Sequence, residues 1–397
     1  MTGTPPETLL HGARIWDGEQ QLDADALLVS GARIAAIGIG AELGARTSAS
    51  VRRIDCRGAT LLPGLIDAHV HMELDPNRSA PPAAEEPRDL ARMGATAESM
   101  LRAGITTARD LGGGAWAELQ LRDRIAAGAL SGPRLLCAGQ PITSPQGHCH
   151  FWGGEAPDLA GARAVIDRQV EHGVDLIKVM ATGGVFTRGS SPAGAQFDQA
   201  TLDGIVTAAA RHGLGVAAHC HGTEGIERAA RAGVRSIEHC SWVGPQGWAA
   251  NYEEQVARII LERGVWVSPT VNRGWRRYLE PGREQALERI RGAYKAMLAM
   301  GIQFIASTDA GIPGVFHHHL PEALAVFCAI AELSAADTLR TATANAADAL
   351  GLGAVTGRLR QGLAADLLLV DGDPLQDLSA LTRPVGVWAR GRAALEP

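Results

Sequence analysis

The sequence predicts an α/β protein, a (β/α)8 TIM barrel with a small β-sandwich domain built from both chain termini. In the middle of the 397-residue chain, eight short apolar runs alternate with Ala-rich amphipathic segments. Near-continuous apolar strands that alternate with helices are typical of a parallel sheet covered by helices. Both chain ends are instead rich in short β-like pieces. We therefore expect the sandwich domain to comprise residues 1–60 and 355–397, and the barrel residues 61–354.

The terminal pieces predict strands because their apolar residues alternate or cluster between Gly and Asp turns. At the start of the chain these pieces are "LLHGARIWDG", "DALLVSGARIAAIG" and "VRRIDCRGATLLPG". At its end they are "GRLRQGLAADLLLVDGDP" and "PVGVWARGRAAL".

The eight apolar runs of the middle predict the barrel strands. They are "GLIDAHVH", "GITTARDLGG", "PRLLCAG", "VDLIKVMATGG", "LGVAAHCHG", "VRSIEHCS", "VWVSPTVN" and "IQFIASTDAG". Helical stretches such as "TLDGIVTAAARHG" lie between them, and several stop at a glycine, a frequent helix terminator. No GxGxxG opens a helix, which argues against a dinucleotide-binding fold. "TLRTATANAADALGL" predicts one further helix that caps the barrel.

Composition excludes several functional classes. The formal net charge is −6 and there is no cluster of Lys and Arg, so we expect no nucleic-acid partner. No apolar run approaches the roughly 20 residues that span a bilayer. The start, "MTGTPPETLL", lacks the basic and apolar regions of a secretory signal, so we expect a cytoplasmic protein without a membrane partner. The six cysteines are scattered without a CxxC, which predicts free thiols.

Potential metal ligands stand at five of the eight predicted strand ends. Each alone has an ordinary explanation: a lone histidine in a core, a lysine in a buried ion pair, an aspartate that caps a helix. In a (β/α)8 barrel, however, the C-terminal ends of all strands meet at one face. Together these residues form a ligand set for two divalent ions, and they are His69, His71, Lys178, His219, His239 and Asp309.

The motifs around these residues resemble the amidohydrolase superfamily, in its imidazolonepropionase-like and Xaa-Pro dipeptidase (prolidase-like) branch. The matching stretches are "PGLIDAHVH", "DLIKVMATGGV", "VAAHCHGTEGI", "SIEHCS" and "STDAG". The tail "GLAADLLLVDGDPL" is typical of the family's small β domain. The resemblance covers almost the whole chain.

The resemblance implies two divalent metal ions, with Lys178 carboxylated to a carbamate that bridges them. His69, His71 and Asp309 would hold one ion, and His219 and His239 the other. Imidazole and oxygen ligands suit Zn²⁺, with Mn²⁺ and Co²⁺ as alternatives. Asp309 would take a proton from the attacking water and deliver it to the leaving amine. A mononuclear centre, as in some members of the superfamily, is the alternative.

Further site residues are predicted around this centre. His148 and His221 are candidate catalytic residues. The Gly-His pair in "SPQGHCHFWGG" resembles the branch's "GGH", with Gln146 in place of the first glycine. Arg109 and Asp110 predict either an internal ion pair or a substrate contact. The candidate substrate contacts, each with an alternative role in packing or on the surface, are His148, His150, Trp152, Trp242, His317 and His319, with Trp275 as a further aromatic candidate.

These observations predict a binuclear metal-dependent hydrolase that cleaves the amide bond of a small molecule, such as an N-acyl amino acid or dipeptide. The same centre could instead hydrolyse a cyclic amide, a carbamate, a lactone or an organophosphate. A non-catalytic barrel is a third hypothesis, but buried unpaired imidazoles and a buried lysine would then only cost stability. The superfamily resemblance also implies a homo-oligomer.

Overall fold

A computed structural model describes residues 7–48, 50–83 and 86–397 of the chain. Residues 1–6, at the start of the predicted sandwich domain, lie outside the described residues. All six cysteines are free, as the sequence predicts. None of the helices in the described ranges combines the length and apolar composition needed to cross a membrane.

The strands of the described residues follow the predicted runs closely. In chain order they are β1 Glu7–His11, β2 Arg14–Ile15, β3 Ala26–Ser30, β4 Arg33–Gly38, β5 Arg52–Asp55, β6 Thr60–Pro63, β7 Leu65–Val70, β8 Ile105–Asp110, β9 Arg134–Cys137, β10 Ile177–Met180, β11 Val216–Gly222, β12 Ser236–Val243, β13 Trp266–Ser268, β14 Leu367–Val370, β15 Pro384–Ala389 and β16 Arg392–Leu395.

Helices separate the strands of the middle region, as an alternating α/β fold requires. In chain order they are α1 Gly40–Arg46, α2 Leu90–Arg102, α3 Ala117–Ala126, α4 Leu159–Glu171, α5 Gln199–Arg211, α6 Thr223–Ala232, α7 Glu254–Glu262, α8 Glu284–Ala299, α9 Leu320–Ala331, α10 Ala335–Thr341 and α11 Ala344–Ala349.

Helix ends agree with local sequence signals. The Asp158 and Asp198 side chains accept hydrogen bonds from the first turns of α4 and α5, the standard role of an N-cap residue. Helix α6 ends at Gly233, whose φ of 78° lies in the left-handed region that glycine adopts at low cost.

Seven strands of the middle region form two parallel sheets. One has the order β7-β8-β9 and the other β10-β11-β12-β13. Isolated backbone bridges extend these sheets: Ile142, after β9, pairs with Val179 of β10, and Phe304, after α8, pairs with Val267 of β13. The mixed α/β class is therefore confirmed, whereas the strands of the described residues do not form one closed eight-stranded barrel.

The prediction of an eighth strand at residues 302–311 is wrong, because this segment makes only isolated β-bridges. The segment keeps backbone hydrogen bonds to both neighbours, such as those from the Ile305 N–H to the Val267 carbonyl and from the Asp309 N–H to the His69 carbonyl, but a side chain interrupts the ladder at Thr308. The backbone N–H of Thr308 donates to the Asp67 carboxylate at 3.1 Å, and the Thr308 hydroxyl donates to the same carboxylate at 2.6 Å. Asp309 also adopts a φ of 60°, outside the strand region.

The predicted capping helix is two helices, α10 and α11, rather than one. The break at Ala342 frees its carbonyl, which accepts a 2.8 Å hydrogen bond from the Ile66 N–H of β7. The tertiary contact therefore replaces helical hydrogen bonds at this point.

The terminal regions form two further sheets. The sheet β4-β3-β1-β5 comes from the N-terminal region, and the sheet β16-β15-β14-β6-β2 combines strands from both ends of the chain. Strand β14 pairs antiparallel with β6, which brings the two ends of the chain together. A shared apolar cluster includes Leu10 and Leu27 of one sheet and Leu61, Leu367 and Trp388 of the other. Burial of these side chains explains why the sequence contains β-rich pieces at both ends.

Candidate active site

Three strand-end residues meet at the C-terminal edge of β7. His69 lies in β7, and His71 follows it directly. The Nε2 atoms of His69 and His71 are 3.3 Å apart, and each lies 3.3 Å from Oδ1 of Asp309. Asp309 is brought there by its backbone N–H, which donates to the His69 carbonyl at 2.9 Å. Three potential ligand atoms therefore face one point.

Each imidazole of this first cluster is oriented through its other nitrogen. His71 Nδ1 lies 2.9 Å from the Gly112 carbonyl, which can only accept, so Nδ1 donates and Nε2 carries the lone pair. His69 Nδ1 lies 3.1 Å from Oε2 of Glu238, a carboxylate that holds His69 in the same tautomer. Such partners are typical of histidines that bind metals.

His219, His221 and His239 form a second cluster, in which one potential ligand atom of each lies within 4.8 Å of the others. His239 Nδ1 is 2.8 Å from the Thr270 hydroxyl, and His221 Nδ1 is 3.0 Å from the Ser241 hydroxyl. The first and second clusters adjoin, because the rings of His69 and His239 have centroids 5.2 Å apart.

Lys178 lies on β10 and is fully buried. Its burial lowers the pKa of the ammonium, an effect that the nearby carboxylates of Glu238 and Asp309 oppose. Within the described ranges its amine makes neither a hydrogen bond nor an ion pair. Burial therefore shifts the equilibrium of Lys178 towards the neutral amine.

Burial also keeps four of the site's histidines neutral. It lowers the pKa of His69 to about 4 and that of His221 to about 3, and it holds the pKa of His219 and His239 well below the usual value. Burial favours a protonated Asp309, but the adjacent His69 and His71 hold its pKa well below the usual value. The clusters therefore offer neutral nitrogens and an ionised carboxylate.

A buried ion pair supports the first cluster, and its partners differ from those expected. Arg109 does not pair with Asp110: its Nη2 donates to Oε1 of Glu238 at 2.7 Å, and its Nε to the Ala68 carbonyl at 2.7 Å. Asp110 instead accepts from the backbone N–H groups of Met72 and Gly112. Burial opposes ionisation of Glu238, yet Arg109 keeps its pKa well below the usual value.

The sequence analysis did not identify Glu238 as a site residue, because strand alternation should turn its side chain away from that of His239. Both residues contact His69, since His239 has a φ of 67° that interrupts the alternation. The adjacent letters "EH" were the only available signal, and they do not reveal a left-handed residue.

The second cluster and Asp309 open onto a cavity of about 620 Å³. Apolar and aromatic side chains form most of its wall, among them Phe186, Trp248, Trp275, Tyr278 and Val315. Such a pocket can enclose a small molecule with an apolar group. Trp248 and Tyr278 were not identified from the sequence, because nothing in their local pattern distinguishes a rim aromatic from a packed one.

The predicted substrate contacts divide into two groups. His148 lines the cavity, with its ring centroid 4.6 Å from that of His219, and burial lowers its pKa to about 4. Trp242 borders the cavity but is fully buried against Tyr252.

The other predicted contacts have partners away from the cavity wall. His150 bonds the Gly147 carbonyl, and His317 the His71 carbonyl. Trp152 packs against the ring of His71, and His319 lies 3.4 Å from Arg273.

Comparisons with known proteins agree with this arrangement. The model of the amidohydrolase family matches residues 60–394. The ochratoxinase of Aspergillus niger is 28% identical over an alignment of 420 residues, which covers 95% of this chain and 84% of that protein. The imidazolonepropionase of Chloroflexus aggregans is 28% identical over 390 residues, 88% of this chain and 84% of that protein.

Among solved structures, a Xaa-Pro dipeptidase with bound methionine in the active site superposes with a TM-score of 0.81 at 26% identity. The superposition covers 98% of this chain and 99% of that one. The family model spans most of the chain. The protein is therefore a hydrolase, and the chain belongs to the amidohydrolase family.

Proposed function

We propose that the protein is a metal-dependent hydrolase that cleaves the amide C–N bond of a small substrate, such as an N-acyl amino acid or a dipeptide. One observation carries the proposal: two adjoining clusters of buried histidines, one of them completed by Asp309, meet at the end of an apolar cavity that the second cluster and Asp309 line. Structural packing alone does not explain this set, because Nε2 of His69 and Nε2 of His71 face each other and the Asp309 carboxylate, an arrangement of acceptors that costs free energy in a buried site.

The donor chemistry fits two divalent ions, for which we propose Zn²⁺. His69, His71 and Asp309 would hold one ion and His219 and His239 the other, with His221 as a further ligand candidate from the second cluster. Neutral Lys178 would react with CO2 to a carbamate shared by both ions. When bound, the ions polarise the substrate carbonyl and activate a water for attack.

The residues of the chain would then position the substrate and move its protons. Oδ1 of Asp309 lies against the imidazoles of His69 and His71. We propose that its second oxygen takes a proton from the attacking water and passes it to the leaving amine. His148 lines the cavity beside His219, and we assign its ring to a hydrogen bond with the scissile amide. His221, held by Ser241, would orient the same group.

The test is a hydrolysis screen after chelation and reloading with Zn²⁺ and bicarbonate. N-acyl amino acids, dipeptides, lactams, lactones and phosphotriesters form its arms. We expect the reloaded enzyme to hydrolyse an N-acyl amino acid or dipeptide. Turnover of the lactone or phosphotriester arm alone would overturn the amide assignment.

Lys178→Ala tests the carbamate within the same screen. We expect loss of nearly all activity and of about one metal ion per chain by elemental analysis, because one shared ligand is absent. Wild-type turnover and metal content in Lys178→Ala would contradict the shared carbamate.

We also propose the finer architecture expected from the sequence. The two parallel sheets and the segment of residues 302–311 would together act as a (β/α)8 barrel, residues 61–354. Residues 1–60 and 355–397 would form a β-sandwich domain. The homo-oligomeric state and the cytoplasmic location of the protein stay predictions.

A further inference from the structure

The charges that line the cavity are few and separate. Among the described lining residues, Asp309 is the only carboxylate and Arg277 the only lysine or arginine. The remaining wall consists of apolar and aromatic side chains, histidines and small polar groups. A guanidinium is always charged and needs a partner when a ligand displaces its water.

Arg277 lies on a short 3-10 helix, Arg273–Leu279, that follows β13. The helix carries three arginines with different surroundings. Arg273 pairs with Glu322 at 2.8 Å. Neither Arg276 nor Arg277 has a carboxylate within 4.0 Å in the part of the chain that the structure describes, and of the two only Arg277 lines the cavity.

The start of this helix is tied to the catalytic segment. Asn272 accepts from the Gly274 N–H at 3.0 Å and donates to the Thr308 carbonyl, one residue before Asp309, at 3.3 Å. The Arg277 guanidinium lies 5.0 Å from the centre of the Tyr278 ring, within cation–π range. The Asn272 contacts fix the start of the helix, and the contact with Tyr278 restricts the exposed Arg277 guanidinium before a ligand binds, which reduces the entropy lost on binding.

We propose that Arg277 binds a carboxylate of the substrate and so makes the enzyme selective for amides with an anionic end. This inference rests on the proposed amide hydrolysis and narrows it. An arginine can bind a carboxylate through two parallel hydrogen bonds. The aromatic wall beside it, Trp275 and Tyr278, would contact the apolar group of the same substrate.

The cavity also distinguishes between the two proposed amide classes. A dipeptide carries a free ammonium, which requires a carboxylate partner in an apolar site. Asp309 is the only lining carboxylate, and its Oδ1 already faces His69 and His71. An N-acylated amino acid has no ammonium to satisfy. The favoured substrate is therefore an N-acyl amino acid with a free carboxylate and a bulky apolar group.

The test compares N-benzoyl-L-phenylalanine with its carboxamide and with L-phenylalanyl-L-phenylalanine. Wild-type enzyme loaded with Zn²⁺ and bicarbonate should prefer the acid over the carboxamide by about 10- to 100-fold in kcat/KM, the range that a charge-assisted hydrogen bond supplies. The dipeptide should be the poorer of the two acids. Arg277→Met should abolish the preference for the acid, mainly by raising KM. Arg276→Met, on the same helix but outside the cavity, is the matched control and should retain the preference.

Three results would overturn the inference: equal use of acid and carboxamide by the wild type, a preference retained in Arg277→Met, or a preference lost equally in Arg276→Met. If the loaded enzyme hydrolyses none of the compounds, the proposed function fails. The inference is then decided by calorimetric binding of the acid and the carboxamide, whose Kd values should differ by about 10- to 100-fold in the wild type but not in Arg277→Met.

Discussion

Replacing Glu238 with glutamine tests the buried ion pair that links Arg109 to His69. The side chain of Glu238 is 0% exposed and that of Arg109 is 3% exposed. Glutamine keeps the volume and one hydrogen-bond acceptor but leaves the guanidinium without a counter-charge. Removal of one partner from a buried pair costs about 3–5 kcal/mol. Because glutamine retains the acceptor, we expect a loss of about 3 kcal/mol in the free energy of unfolding.

The same change should reverse the tautomer of His69. If the glutamine oxygen accepts from Arg109, its amide N–H faces His69 Nδ1 and the imidazole proton moves to Nε2. That nitrogen faces His71 and Asp309, so it could no longer bind a metal. We expect metal affinity to fall by about 10- to 100-fold, as for other outer partners of metal-binding histidines.

The assay is urea unfolding of the metal-free protein, followed by metal competition with a chromophoric chelator. Glu227→Gln is the matched control, because Glu227 pairs with Arg231 at the surface, where the side chains are 36% and 52% exposed. An exposed pair contributes about 0.2–1 kcal/mol, so this variant should unfold almost like the wild type.

A double variant completes the test. Arg109→Met/Glu238→Leu removes both charges, and such apolar replacements of buried pairs are often neutral or stabilising. We expect its free energy of unfolding to fall by much less than the sum of the losses in the single variants Arg109→Met and Glu238→Leu. Our reasoning fails if Glu238→Gln costs less than about 1 kcal/mol, or if the double variant costs the full sum.

Two further predictions concern neighbouring features. Burial and the nearby Glu73 carboxylate raise the pKa of Glu118 well above its usual value. The folded state therefore binds a proton that the unfolded state releases above about pH 4.3, and stability falls as pH rises towards the raised pKa. Glu118→Gln should match the wild type at pH 5 and unfold at higher urea than the wild type at pH 8; equal midpoints at both pH values would contradict this. In a second test, a Cβ on Gly184 would lie 2.4 Å from Nε2 of His148. Gly184→Ala should displace that ring and lower kcat by about 10- to 100-fold. Gly194→Ala is the control, because a Cβ there has no contact closer than 3.5 Å, and it should keep the wild-type kcat. A wild-type kcat in Gly184→Ala would remove His148 from the mechanism.

The convergence of the site could be read from the sequence because it depends on a general property of parallel strands. Their C-terminal ends meet at one edge, so polar residues at successive strand ends must approach one another. His69, in β7, and His71, directly after it, are two residues apart and so lie on one side of the chain. The helices of the middle region were predictable as well, since their caps and glycines are local signals.

Other features depend on contacts between distant segments and left no local signal. Residues 302–311 resemble a strand by composition, yet the Asp67 carboxylate takes the N–H of Thr308 that a ladder would use. Arg109 stands beside Asp110 in the sequence but pairs with Glu238.

The sequence by itself determined the α/β class, the family and the edge of the sheets where the polar strand ends meet, because each follows from local pattern and strand direction. Tertiary structure alone decided which carboxylate orients His69, that His221 joins the second cluster, and that Arg277 rather than Arg276 lines the cavity. Those outcomes depend on how loops and left-handed residues turn side chains in space, and residue spacing does not encode that rotation.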